Sequence, residues 1–351
     1  MSRHDTTINN MFTVGGLFSG VGGIELGFKQ AGFDIKWANE FDKYSSKTYR
    51  LNHGDHLIEE DIHLIQGKDL EPVDVLTGGF PCQAFSVAGY RKGFRDPRGN
   101  LFFEIARLIE ELETPPKALM LENVKGLSSH DKGKTAEVIK DTLRILGYSV
   151  FWDVLNTSTL TNVPQNRERT IIVCFRDEVD WEESKDNEFP LASANFSGIY
   201  PPKPKKNNRS IRDLLEKDVY EKYFYGPDKY MYKELKEDMK NKNTAYQWRR
   251  IYVRENQSNE MFTLTANMGT GGHNVPLIVT TNGKFRKLTP RECFRFQGYP
   301  HDVNLPEIAN CHLYKQAGNS VSVPVIRKLA ETIVKTLLQG QGQSVDFKKT
   351  A

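Results

Sequence analysis

Short apolar strands alternate with helical patterns from Phe12 to Phe175, and few folds accommodate that succession. Candidate strands cover residues 12–18, 33–38, 73–77, 118–121, 148–155 and 170–175. Candidate helices cover 23–31, 101–112 and 135–146, the last running into Gly147 as its C-terminal stop. Such βαβ units predict a parallel sheet with helices on its faces, hence an α/β fold. A chain of 351 residues has room for one large domain of this kind and a smaller second one.

The composition changes at Pro201-Pro202-Lys203-Pro204-Lys205-Lys206-Asn207-Asn208-Arg209, which has the character of a linker. A stretch rich in Lys, Tyr and Asn follows, with little periodicity. Order returns near Arg286, and Val325, Ile326, Leu329, Ala330, Ile333, Val334 and Leu337 fall at helical spacing. We therefore expect residues 1–190 and 302–351 to form the larger domain and 191–301 the smaller. The N-terminus is polar and no apolar run is long enough to span a bilayer, so neither secretion nor membrane insertion is expected.

Open parallel sheets bind ligands beyond the C-terminal ends of their strands. Gly20, Gly22, Gly23, Glu40, Asp61, Cys82 and Glu122 all fall at or just past such ends. The turn Phe18-Ser19-Gly20-Val21-Gly22-Gly23 brings backbone close to a ligand and exposes amides at a helix start. It is not the G-x-G-x-x-G fingerprint, which argues against a nicotinamide cofactor. Glu40 lies about twenty residues beyond the first glycine, where an acid receives a ribose diol. Phe41 can cover an adenine face and Asp61 can accept its amino group. Cys82, flanked by Pro81 and Gln83 on the loop leaving residues 73–80, stands where a nucleophile would sit. The four cysteines are far apart with no C-x-x-C spacing, so a reduced thiol set and no metal are expected.

Taken in order, the glycine turn, Pro81-Cys82-Gln83, Glu122-Asn123-Val124, Gln165-Asn166-Arg167-Glu168-Arg169 and Gln316-Ala317-Gly318-Asn319-Ser320-Val321 resemble the DNA (cytosine-5) methyltransferases. These are bacterial and phage modification enzymes, and the resemblance spans nearly the whole chain. It implies a Rossmann-like sheet binding S-adenosylmethionine through Phe18, Gly20, Gly22, Gly23, Glu40, Phe41, Asp61, Ile62, Pro81, Asn319, Ser320 and Val321. It implies Cys82, Glu122, Arg167 and Arg169 as the catalytic set. Gly15-Gly16 departs from the pattern, since many relatives carry an apolar residue and an Asp there.

The chemistry suits those residue types. Cytosine carbon-5 is a poor nucleophile until a thiolate adds to carbon-6 and makes an enamine-like ring, so a hard step becomes two easier ones. A free cysteine titrates near pH ~8.5, so the site must favour the anion. Charge then moves to ring N3, where the Glu122 carboxyl is placed to meet it. Arg167 and Arg169, at the start of the strand 170–175, are expected to face apart. By family position Arg169 takes the base's O2 while the other supports the site. A stacked base is covered on both faces, so the target must be flipped out of the duplex. The segment 86–99, with Ser86, Arg98 and its glycines, has the make-up of a closing lid with cations for phosphate.

Between 201 and 260 Lys and Arg outnumber Asp and Glu by 15 to 10, whereas the whole chain carries a net charge of only +3. Arg249, Arg250 and Arg254, then Thr263-Leu264 and the polar turn with Gly271 and Gly272, are the expected DNA contacts. The segment Arg286-Lys287-Leu288-Thr289-Pro290-Arg291-Glu292 resembles the one that organises the family's recognition region. Double-stranded DNA is the expected partner, with a monomeric cytoplasmic enzyme and a genetically paired restriction endonuclease as the natural setting. A transfer-RNA methyltransferase on the same core is disfavoured by the long insertion before Arg286. A catalytically dead relative is disfavoured by the intact Cys82, Glu122 and Arg169.

Overall fold

β1 (Thr13–Leu17) lies near the middle of a seven-stranded sheet in this computed structural model, which describes residues 12–80, 101–176 and 209–340. β2 (Asp34–Asn39) and then β3 (Leu57–Ile58) extend the sheet on one side of it. β4 (Val75–Gly78), β5 (Ala118–Val124), β7 (Glu168–Arg176) and β6 (Tyr148–Asn156) follow on the other. β1 to β5 run parallel, in the order β3-β2-β1-β4-β5. The chain thus builds outward from β1 in one direction, then returns to build in the other. That reversal opens a crevice at the C-terminal ends of β1 and β4.

The strands are buried on both faces and alternate between two cores. Val14, Val75, Met120 and Val173 face helix α1 (Gly23–Gln30) and the last helix, whereas Leu17, Leu76, Leu119 and Ile172 face α3 (Leu101–Glu111) and α4 (Lys134–Ile145). α2 (Lys43–His53) stands beyond β2, capped by Asp42, whose carboxylate accepts from the amides of Tyr44 and Ser45. The sequence reading missed α2 because its buried side chains include Ser46 and Thr48 and leave no apolar stripe.

The sheet is not wholly parallel, contrary to expectation. β7 runs antiparallel between β5 and β6. Residues 157–167 connect β6 to β7 with only a four-residue helical turn, Thr157–Leu160. That span is too short for a crossover helix, so the chain folds back beside its own strand.

A second sheet has the order β10-β9-β11-β12-β8 and is antiparallel throughout. Its strands are β8 (Phe224–Tyr225), β9 (Tyr246–Arg249), β10 (Tyr252–Glu255), β11 (Leu277–Val279) and β12 (Phe285–Lys287). Such short strands explain the weak periodicity of this stretch. α5 (Tyr232–Asp238) packs beneath them through Leu235, with Met231 and Met239 at its ends. α6 (Pro290–Phe296), α7 (Asn310–Asn319) and α8 (Val323–Gly340) complete the described chain, and α8 returns to lie on α1. No helix among the described residues is long and apolar enough to cross a membrane.

The passage from β12 into α6 is held by a buried ion pair. Arg286 donates from both terminal nitrogens to Glu292, at 2.8 and 2.6 Å. The same carboxylate accepts from the amides of Thr289 and Glu216, each at 2.8 Å. Glu292 thereby completes a capping box on α6 while neutralising Arg286. Removing one partner of such a pair strands the other charge, whereas replacing both with apolar groups does not. Glu292→Ala should therefore lower the free energy of unfolding in urea by about 3–5 kcal/mol. Arg286→Met combined with Glu292→Leu should lose distinctly less.

Candidate active site

The crevice at the end of β1 and β4 is a cavity of about 550 Å³. Phe18, Gly20, Gly23, Glu40, Phe41, Asp61, Ile62, Asn319, Ser320 and Val321 line it, so ten of the twelve residues expected to hold the cofactor converge there. Gly22 stands behind the wall as the N-cap of α1, in the left-handed conformation that favours glycine. Pro81 lies outside the described residues, as do Cys82, Ser86 and Arg98.

Glu40 follows β2 and is nearly buried. Its carboxylate accepts from the amides of Gly20 at 2.8 Å, Phe41 at 2.9 Å and Asp42 at 2.7 Å. Burial raises its pKa against the pull of those bonds. A carboxylate has about four lone-pair sites, so one is left for a ligand hydroxyl. Phe41 is 71% exposed, an aromatic face presented at the cavity edge. Asp61 caps the turn Ile62–Leu64, and a hydrogen bond with His63 at 2.7 Å holds its pKa down. The set offers a diol acceptor, an aromatic surface and a carboxylate that can accept from an amino group in one concavity, which fits the adenosine half of S-adenosylmethionine.

On the opposite wall, Glu122 on β5 meets Arg169 on β7, Oε1 to Nε, at 3.0 Å. The β5–β7 register pairs Val124 with Arg169 and so sets the two side chains beside each other. Glu122 also faces the end of β4, its Oε2 lying 3.9 Å from where a Cβ on Gly79 would be. Asn123 donates to the carbonyl of Phe80 at 2.8 Å, which pins the β4 exit just before Pro81 and Cys82. Asn123 has this role by tertiary contact alone. Its signal in the sequence was only its place beside Glu122.

Arg167 is turned into the protein. It is 1% exposed and donates to the carbonyls of Leu264 at 2.8 Å, Gly318 at 3.3 Å and Ser320. Burial, then the nearby Arg169, push its pKa down to about 9, which leaves it charged at neutral pH. Its hydrogen bonds hold three stretches of backbone in place. Strand alternation does not separate it from Arg169, contrary to expectation, since residues two apart share a face. β7 begins at Glu168, and Arg167 lies ahead of it.

Part of the wall was not legible in the sequence. α2 and α7 bring Tyr44, Asp42, His312, Lys315 and Gln316 to the cavity. Tyr44 stacks on His312 with ring centroids 3.6 Å apart, Lys315 lies 3.4 Å from Asp42, and Thr48 donates to Gln316 at 2.9 Å. These contacts join positions more than 250 residues apart, as for Thr48 and Gln316 at a separation of 268, and no local spacing reports them.

Apart from Ser86 and Arg98, which lie outside the described residues, the expected DNA contacts lie on the second sheet and its loops. Gln247, Arg249, Tyr252 and Arg254 share one face of the β9–β10 hairpin, because their register pairs Tyr252 with Arg249 and Arg254 with Gln247. Arg249, Arg250 and Arg254 are all exposed, and Arg250 holds the hairpin tip with φ 58°. Gly271 and Gly272 are exposed too. Thr263 donates to the Asn166 carbonyl at 2.5 Å, which fastens it to the approach to β7. One glycine sets the distance between this region and the cavity: a Cβ on Gly318 would collide with the Thr265 backbone.

A family model described as C-5 cytosine-specific DNA methylase matches residues 12–335. The Type II methyltransferase M.Bsp6I of Bacillus sp. (strain RFL6) is 51% identical over 333 residues, which cover 93% of this chain and 100% of that protein. M.HhaI of Haemophilus parahaemolyticus is 36% identical over 346 residues, 95% of this chain and 94% of its own. Among solved structures, the S. pombe Dnmt2 methyltransferase shares the fold, with a TM-score of 0.71 at 21% identity over 93% of this chain and 99% of that one. This family methylates DNA with S-adenosylmethionine as methyl donor. The chain belongs to the C-5 cytosine-specific DNA methylases.

Proposed function

We propose that this enzyme methylates carbon-5 of a cytosine flipped out of a short specific sequence in double-stranded DNA, through a transient covalent bond from Cys82 to carbon-6. The observation that carries the proposal is the meeting of Glu122, Arg169 and the Asn123-pinned exit of β4 beside the cofactor cavity.

In this reading the Cys82 thiolate adds to carbon-6, and the ring's electrons move toward N3, where the Glu122 carboxyl meets them. Arg169, held by Glu122, faces the base's O2. The activated carbon-5 accepts the sulfonium methyl that S-adenosylmethionine supplies. Loss of the carbon-5 proton to a base then expels Cys82 and restores the ring. Glu40 receives the ribose, Phe41 and Asp61 the adenine, and the α1 N-terminus the ligand's carboxylate. Residues 191–301 serve as the recognition domain, with Arg249, Arg250 and Arg254 on the DNA face. The Type II names of the relatives support a paired restriction endonuclease. A monomeric cytoplasmic enzyme completes the proposal.

DNA carrying 5-fluorocytosine at the target should trap an adduct that survives denaturing electrophoresis, because fluorine cannot leave as the proton does. Cys82→Ala should abolish adduct and turnover while retaining DNA binding in a mobility-shift assay. An active Cys82→Ala enzyme would end the mechanism.

Glu122→Gln should depress turnover by at least about 10²-fold with little change in cofactor affinity, since it acts on charge developed in the transition state. Glu40→Ala should instead raise the cofactor's dissociation constant. Steady-state kinetics beside direct ligand binding separate the two, and an exchange of these effects would mean the roles are reversed.

Grafting residues 201–284 onto another family member should carry the methylated sequence with it, read by bisulfite sequencing of the host genome. Within the graft, a base-reading arginine should cost about 1–3 kcal/mol at one position when replaced, whereas a phosphate contact should weaken all sequences and flatten the salt dependence. A chimera keeping the recipient's site would put specificity elsewhere.

A further inference from the structure

Glu25 is a buried acid that the reaction above does not use. It lies on the first turn of α1, it is 1% exposed, and neither of its oxygens has a hydrogen-bond partner. Gly16 on β1 gives it room. A Cβ there would collide with Glu25 Oε1 and would lie 2.9 Å from Ser19 Oγ. The carboxyl group from the helix thus fills the place of a side chain near the end of the central strand. Ser19 is buried as well, its hydroxyl has no completed hydrogen bond, and it lines the cofactor cavity. A hydroxyl at the wall and a carboxyl group behind it lie close together, yet neither completes a hydrogen bond of good geometry.

The groups facing Glu25 do not neutralise it. Glu40 beyond β2 repels it, and it in turn raises the pKa of Tyr49 on α2 and of Tyr299 beyond α6, both already raised by burial. His53, packed on the same glycine turn from α2, is driven by burial to about 4 and is neutral at pH 7. Burial raises Glu25 itself to about 7, with Ser19 pulling the other way. A carboxylate so enclosed is costly unless a cation reaches it. The helix N-terminus offsets only part of that cost.

We infer that Glu25, acting through the Ser19 hydroxyl, is the counter-charge for the α-ammonium group of S-adenosylmethionine. The inference rests on this cavity being the cofactor site. An amino-acid ligand carries its carboxylate and ammonium on one carbon, and the amides at the start of α1 favour the carboxylate. The ammonium then lies against the same turn, where Ser19 can accept from it and donate to Glu25. The other acids lining the cavity follow β2 and β3, as Glu40, Asp42, Glu60 and Asp61 do, or are paired, as Glu122 is with Arg169. Glu25 is the acid behind the glycine turn among the described residues.

Binding the cation favours ionised Glu25, so a proton leaves Glu25 when the ligand binds below about pH 7. The test is calorimetric titration of S-adenosylmethionine and S-adenosylhomocysteine, from pH 6 to 8, in buffers of different ionisation enthalpy. The proteins are the wild type, Glu25→Gln, Glu40→Ala, Glu25→Ala, and Glu25→Ala combined with Gly16→Asp. Glu25→Gln should weaken both ligands about tenfold above pH 7, with the deficit shrinking below it, and should release fewer protons than the wild type at pH 6.5. The free ligand's own ammonium titrates equally against every variant, so the difference from the wild type isolates Glu25. Returning the carboxylate from the strand in the Gly16→Asp double variant should recover affinity over Glu25→Ala. Wild-type affinity and proton release in Glu25→Gln, with Glu40→Ala weakened, would overturn the inference. Lost affinity with unchanged proton release would also overturn it, leaving Glu25 a structural residue. If Glu40→Ala also bound normally, the cavity assignment itself would fall.

Discussion

The guanidinium of Arg167 ties together three stretches of chain that are distant in sequence. It reaches Leu264 across 97 positions, Gly318 across 151 and Ser320 across 153. Each acceptor is a backbone carbonyl, so what is fixed is the path of the chain rather than the rotamer of a neighbour. A buried charge leaves little freedom, and these carbonyls meet both terminal nitrogens although Nε finds no partner. Arg167 therefore sets the position of the 318–321 turn at the cofactor cavity and of Leu264 on the segment between β10 and β11. Gln165 repeats the logic one step upstream, donating to the Phe296 carbonyl and accepting from the Leu264 amide at 3.1 Å. Gln297 extends it to the Ala317 carbonyl at 2.7 Å.

That joint holds the second sheet against the first. Gly318 lets α7 approach the backbone at Thr265, and Gln165, Arg167 and Gln297 close the same seam with hydrogen bonds. The region that carries Arg249, Arg250 and Arg254 is thereby joined to the approach to the strand that carries Arg169. Register does the remaining work: β7 runs antiparallel to β5, and pairing of Val124 with Arg169 sets Glu122 beside its guanidinium. With β7 parallel, that register would not exist.

The glycine pair at 15–16 shows how a departure from the family pattern is absorbed. Side chains at either position would collide, with Trp37 at one and Glu25 at the other. The missing side chains on β1 are compensated by groups arriving from β2 and α1. The core stays filled, and an acid stays behind the glycine turn.

The strand–helix alternation up to Phe175 was legible because two-residue and 3.6-residue periods are local properties of a chain. So was the convergence of the glycine turn, Glu122 and Arg169 on the cavity, because each belongs to a short motif whose chemistry depends on residue type and order. Of the ten residues that converge on the cavity, Gly20, Gly23, Glu40 and Asp61 follow from the rule that ligands collect at strand ends, whereas Asn319, Ser320 and Val321 came only with the family resemblance. α2 was hidden because its buried face is largely polar, and the direction of β7 because a loop's length was not weighed against the crossover it would need. The roles of Arg167, Asn123, Gln316 and Glu25 were decided only by tertiary structure. Each is set by a partner or a space supplied by distant chain, and a hydrogen bond or cavity formed across such a distance leaves no period or spacing in the sequence.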